Sequence, residues 1–151
     1  MSTLQARLRA DLTAAMKARD ELTTATLRMV LAALSTESVA GRQARELSDA
    51  EVVAVLTREA RKRREAATVF DAASRPELAD RERAEGTVLD RYLPAPLADE
   101  QLVEIVRAAI VETGASELRH LGQVMKALQP KVAGRADGKR VADAVRQQLG
   151  G

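Results

Sequence analysis

Apolar residues recur at helical spacing along most of this chain, and a single stretch, Leu93-Pro-Ala-Pro-Leu97, stops that rhythm. Two prolines in three residues hold the backbone extended and remove amide donors, so no helix can run through them. The stretch predicts a division into residues 1–93 and 97–151, with 94–96 as a proline-containing linker.

Four helices are expected before it. Leu4, Leu8, Leu12 and Met16 stand at i,i+4 spacing behind Ser2 and Gln5 in capping-box positions, predicting a helix over 2–17. After the charged break Arg19-Asp20-Glu21, a second apolar face of Leu27, Val30, Leu31 and Leu34 ends before Gly41. Ser48-Asp-Ala-Glu51 is a further capping box, opening a helix with Val52, Leu56, Ala60, Ala67 and Phe70 on one face. Ser74-Arg-Pro-Glu77 sets Pro beside an N-cap and starts a fourth helix that runs to Tyr92, weakened internally by Gly86.

Three more helices are expected after it. Asp99 caps a segment bearing Leu102, Ile105, Val106, Ala109 and Ile110, closed by Thr113-Gly114. Ser116 begins a short helix with Leu118, Leu121, Val124, Met125 and Leu128 that Pro130 halts, and Asp137 caps a last one with Val141, Ala144, Val145 and Leu149. No segment alternates like a strand. The expected fold is all-α, with two small helical domains: an N-terminal bundle or hairpin array and a C-terminal three-helix domain.

Composition narrows the chemistry. With one Phe, one Tyr and no Trp, the core must be built from Leu, Val, Ala and Met. The absence of Cys removes disulfides and thiolate metal sites and fits a reducing compartment. No apolar run has the length of a membrane span or a signal h-region, so a cytoplasmic protein that does not engage membranes is expected. His120 is the only histidine, and with Glu117 three residues before it a helix-surface pair accounts for it better than a metal or catalytic site. Gly134-Arg-Ala-Asp-Gly-Lys-Arg140 fails as a Walker A loop: three residues separate its glycines, Arg140 stands where Ser or Thr should hold magnesium, and no strand precedes it. Neither a cofactor nor a metal is expected, and the chain by itself is not expected to be an enzyme.

Charge is balanced overall, with 24 basic and 22 acidic residues for a net +2, yet it is unevenly spread. Between Arg119 and Arg146 stand seven basic residues and two acids. Lys126, Lys131, Arg135, Lys139 and Arg140 surround the turn that holds Gly134, Asp137 and Gly138. The first amides of a helix lack intrahelical partners and its dipole is positive there, so the turn is a candidate anion site. The same residues also fit a purely structural turn, with Gly134 ending one helix and Asp137 capping the next while Gly138 occupies its first turn. In the other half, Arg61-Lys-Arg-Arg64 reads as a solvated helix face except at Arg63. That guanidinium falls on the apolar face of its helix, where it needs a carboxylate or carbonyls or must snorkel to the rim, and a structural role such as a buried ion pair is favoured over ligand binding.

These segments resemble the GatB/YqeY family. The resemblance is carried by Thr26-Leu-Arg-Met-Val-Leu-Ala-Ala-Leu34, Glu46-Leu-Ser-Asp-Ala-Glu-Val-Val53, Lys62-Arg-Arg-Glu65, Tyr92-Leu-Pro94, Glu112-Thr-Gly-Ala-Ser116, Gly122-Gln-Val-Met-Lys-Ala-Leu128 and Gly134-Arg-Ala-Asp-Gly-Lys139. It implies a stand-alone YqeY-like protein whose C-terminal part is similar to the tail domain of the B subunit of tRNA-dependent amidotransferases, a domain that helps hold tRNA. The implied partner is tRNA or another structured RNA, bound through Lys126, Lys131, Arg135, Lys139 and Arg140. The alternative is a helper that docks on an amidotransferase or translation component through an apolar stripe on its first helix pair. A label of carbon–nitrogen ligase with glutamine as amido donor belongs, on this reading, to other domains of the larger enzyme. Five phosphate contacts would make log affinity fall against log salt with a slope approaching roughly −4, at about −0.9 per duplex phosphate.

Overall fold

Short polar side chains start the helices where the backbone needs acceptors. In the computed structural model, which describes residues 1–132 and 135–150, Ser2 accepts the Gln5 amide at 3.1 Å and opens α1 (Thr3–Lys17). Asp20 accepts the Thr23 amide at 3.1 Å and its hydroxyl at 2.7 Å to open α2 (Glu21–Ser38), and these bonds hold the Asp20 carboxyl below its ordinary pKa. The capping box before α3 (Asp49–Ala72) is complete: Ser48 accepts the Glu51 amide, and Glu51 reaches back to the Ser48 amide, each at 3.2 Å.

α4 (Pro76–Asp90) begins differently from expectation. Ser74 is not its cap, because Ser74 is already used to end α3: it lies at φ +59°, and the Arg75 amide bonds back to the Phe70 carbonyl at 2.8 Å. Arg75 takes the N-cap position without a side-chain bond, and Pro76 supplies the first helical residue. The helix stops at Asp90, two residues short of Tyr92, which sits in the following turn. Arg19, at φ +57°, ends α1 in the same left-handed way, with the Asp20 amide on the Ala15 carbonyl at 2.9 Å.

Residues Met1–Leu93 form one compact unit and Pro94–Gly151 another. In the first, α1 to α4 enclose a core that includes Leu8, Leu27, Leu34, Leu56 and Leu89. From α3 the core takes Val52 to Ala60 and stops there, so Phe70 is only half-buried and lies outside it. Beyond that point α3 and α4 remain packed together, with Ala67 on α3 and Ala79 on α4 both buried.

The second unit holds α5 (Asp99–Thr113), a 3-10 turn (Leu118–His120), α6 (Leu121–Val132) and α7 (Gly138–Gly150). Asp99 does not cap α5. Ala98 stands at the cap, its amide bonded to the Gln101 side chain at 2.9 Å, and Asp99 is the first helical residue. Gly114 closes α5 at φ +71°, a conformation that favours glycine. Pro130 does not halt α6; the helix continues to Val132, whose side chain is buried with Val124 and Leu128 in the core of this unit. Burial of Val132 holds the last turn although proline leaves the Lys126 carbonyl without its helical donor. Asp137 caps α7, accepting the Arg140 amide at 2.8 Å. The fold is all-helical, and among the described residues no strand occurs and no helix is long and apolar enough to cross a membrane.

Left-handed backbone at a non-glycine residue costs about 1–2 kcal/mol, and glycine loses roughly 0.4–1 kcal/mol of that gain through the entropy of the unfolded chain. Ser74→Gly and Arg19→Gly are therefore each expected to stabilise the protein by about 0.5–1 kcal/mol in urea denaturation. A lower midpoint in either variant contradicts this account of the turns.

Candidate nucleic-acid interface

The five basic residues singled out in the C-terminal unit do not share one surface role. Lys126 lies in the middle of α6, exposed, two residues from buried Val124 and Leu128 and so on the opposite side of the helix. Lys139, in the first turn of α7, is also exposed. Neither makes an ion pair among the described residues.

The remaining three are engaged within the unit. Lys131 Nζ donates to Glu112 Oε2 of α5 at 2.8 Å, and that bond lowers the Glu112 pKa. Arg140 Nη2 donates to Asp99 Oδ1, at the other end of α5, at 2.7 Å. Arg135 is half-buried and ties chain segments together. Its Nε donates to the Ala95 carbonyl at 3.4 Å, its carbonyl accepts the Leu97 amide at 2.8 Å, and its own amide reaches the Val132 carbonyl at 2.8 Å.

At the turn itself, the Asp137 carboxylate already occupies the Arg140 amide, so the structural reading of this cap has its geometry in place. Gly138 is the first residue of α7, with neither a positive φ nor a close neighbour to require glycine. Gly134 lies outside the described residues.

His120 is not a side-chain partner of Glu117. Its Nδ1 accepts the backbone amides of Ser116 and Glu117 at 3.1 and 3.2 Å, so the ring closes the turn that leads into α6. Glu117 pairs instead with Arg119 at 2.6 Å. No cluster suited to a metal ion occurs among the described residues.

Arg63 lies among carboxylates of two helices, although its Nε is buried without a hydrogen-bond partner among the described residues. Its Nη2 donates to Glu59 at 3.1 Å on its own helix, and its Nη1 lies 3.5 Å from Glu82 and 3.8 Å from Glu85 on α4. The Glu59 side chain is 7% exposed and that of Arg63 19%. Gly86 on α4 lies against the Arg63 stem, where an added Cβ would be in ordinary contact with the Arg63 Cβ at 3.9 Å. Lys62 and Arg81 flank the cluster, on Glu59 at 3.4 Å and Glu85 at 3.2 Å.

One further polar contact carried no local sequence signal. The Tyr92 hydroxyl donates to Asp11 Oδ2 at 2.6 Å, and Arg7 stacks 4.7 Å from the ring centroid while its Nη2 lies 3.5 Å from the Arg91 carbonyl. Burial of the ring, and then the bond to Asp11, push the phenol pKa up to about 12.

These features define a small all-α protein of two helical units whose C-terminal unit displays basic side chains. The family model described as Yqey-like protein matches residues 5–149, nearly the whole chain, and the chain belongs to that family. None of the curated proteins compared with it matches.

Two outcomes are expected from this geometry. Arg63→Ala leaves Glu82 without a cation and Glu59 and Glu85 with only their flanking partners, and should destabilise the protein by about 3 kcal/mol, at the low end for a broken buried pair because the edges of the cluster reach water. An unchanged denaturation midpoint contradicts that account. Tyr92 has a folded pKa of about 12 against an ordinary 10, so its contribution to stability is complete below pH 10 and is lost as pH rises to 12. Spectroscopic titration of this lone tyrosine should show the raised midpoint, and Asp11→Asn should lower it; a midpoint at the ordinary value contradicts the contact.

Proposed function

We propose that this protein is a non-catalytic accessory module that binds tRNA, or an aminoacyl-tRNA complex, through the basic surface of its C-terminal unit. The observation that carries the reading is the display of Lys126 and Lys139, exposed and without carboxylate partners among the described residues, in a segment already rich in basic residues. Membership of the Yqey-like family supports it, as does the resemblance of residues 122–139 to a tRNA-holding tail domain.

Lysines at this spacing neutralise phosphates without reading bases, so selectivity comes from the shape of the RNA or from a partner protein. A single-strand platform is disfavoured, because stacking needs aromatic side chains and the C-terminal unit has none. A link to glutamine-dependent amidation runs through the bound RNA or an associated enzyme, and it requires no active site in this chain.

Docking on a translation or amidotransferase component is the rival reading. Its apolar stripe is not evident on the first helix pair, where the exposed large apolar residues, Met1, Met16 and Val39, are scattered at helix ends. The RNA reading is therefore the better supported.

Filter binding of total tRNA across a salt series tests it. Affinity should fall with salt, and Lys126→Ala and Lys139→Ala should each weaken binding and reduce the log–log slope by about one unit. A nearly flat salt response, or unchanged binding by the double variant, overturns the proposal.

A further inference from the structure

The two ion pairs at the ends of α5 differ from the other salt bridges of the C-terminal unit. Arg107–Glu104, Arg119–Glu117 and Arg146–Asp143 each join residues two or three apart on the same local segment. Lys131–Glu112 and Arg140–Asp99 join different helices, across 19 and 41 residues of sequence, and both engage cations of the candidate interface.

Helix dipoles act on both pairs. Glu112 is in the last turn of α5, where the partial charge is negative, so the Lys131 ammonium faces a carboxylate and a helix C-terminus together. Arg140 is in the first turn of α7, where a cation meets the positive end of the dipole, and the Asp99 carboxylate offsets that repulsion. A carboxylate held against a lysine or arginine occupies the position that a phosphate oxygen would take. All four side chains reach solvent, so an incoming phosphate and the resident carboxylate compete for the same cation.

We propose that Glu112 and Asp99 are intramolecular competitors of phosphate, which withhold Lys131 and Arg140 from RNA and leave Lys126 and Lys139 as the cations that bind it. The proposal rests on the RNA-binding reading above and concerns the regulation of that same surface. The pairs keep the resting affinity low and salt-tolerant. A change that neutralises either carboxylate, or a partner that draws it away, frees a cation and tightens binding.

The test uses the full chain and total tRNA, measured by filter binding over a salt series. If the two lysines act alone in this unit, its share of the slope is about −1.8, at about −0.9 per phosphate. Glu112→Gln and Asp99→Asn should each steepen the measured slope by about one unit and raise low-salt affinity several-fold, with the double variant adding the two effects. Glu104→Gln removes the same charge from α5 but frees only Arg107, outside the interface, and should match the unmodified protein. In a Lys131→Ala background, Glu112→Gln should produce no gain. Unchanged slopes in Glu112→Gln and Asp99→Asn overturn the proposal, since the pairs then already open to phosphate. An equal gain in Glu104→Gln also overturns it, since net charge alone then explains the effect. If the unmodified protein shows no salt-dependent binding, the RNA reading itself fails, an outcome distinct from both.

Discussion

A core with one buried aromatic ring has to be filled by short aliphatic side chains, and such a core is dense only where helices come close together. The α3–α4 seam shows the consequence. Ala60, Ala67, Ala79 and Gly86 let the two helices approach, and the Arg63 stem packs over Gly86. Close approach also forces the polar groups of that seam into contact, so Glu59, Glu82 and Glu85 share one guanidinium. The internal glycine, a weak point for an isolated helix, lies against the Arg63 stem in this seam, and an alanine there would make only an ordinary van der Waals contact.

Much of the positive charge in this protein is neutralised internally. Basic and acidic residues are almost equal in number, and in both units many of the cations pair with carboxylates on neighbouring turns or neighbouring helices. A surplus counted along the sequence therefore overstates the positive surface. Three of the five candidate phosphate contacts are held by Glu112, Asp99 or the Ala95 carbonyl. The surface that remains is smaller and more local than the basic run suggests.

Helix existence was largely legible in the chain because the signals are local. Ser2, Asp20, Ser48 and Asp137 each accept an amide three residues ahead, and i,i+4 apolar spacing marks the buried faces. Boundaries depart from the local signals where two rules compete. Ser74 can serve as an N-cap or as a left-handed terminator, and the end of α3 takes it for the second role. Asp99 lost its cap to Ala98, because Gln101 satisfies that amide from within the helix. Pro130 is a helix breaker by itself, but the burial of Val132 outweighs the lost bond. Of the site, the residue types and Arg63's need for a buried pair could be read; the partners of Lys131, Arg140 and Tyr92 could not, since they lie 19, 41 and 81 residues away.

By itself, then, the sequence determined an all-helical chain with an aliphatic core, a proline-rich interruption and a concentration of positive charge towards the C-terminus. Those properties follow from interactions within about four residues, where backbone geometry dictates which groups meet. Which cations stay available, which carboxylates hold the others and which α4 carboxylates meet Arg63 were decided only when helices distant in sequence packed together. Ion pairing depends on distances of a few ångströms, and no spacing along the chain specifies those distances between different helices.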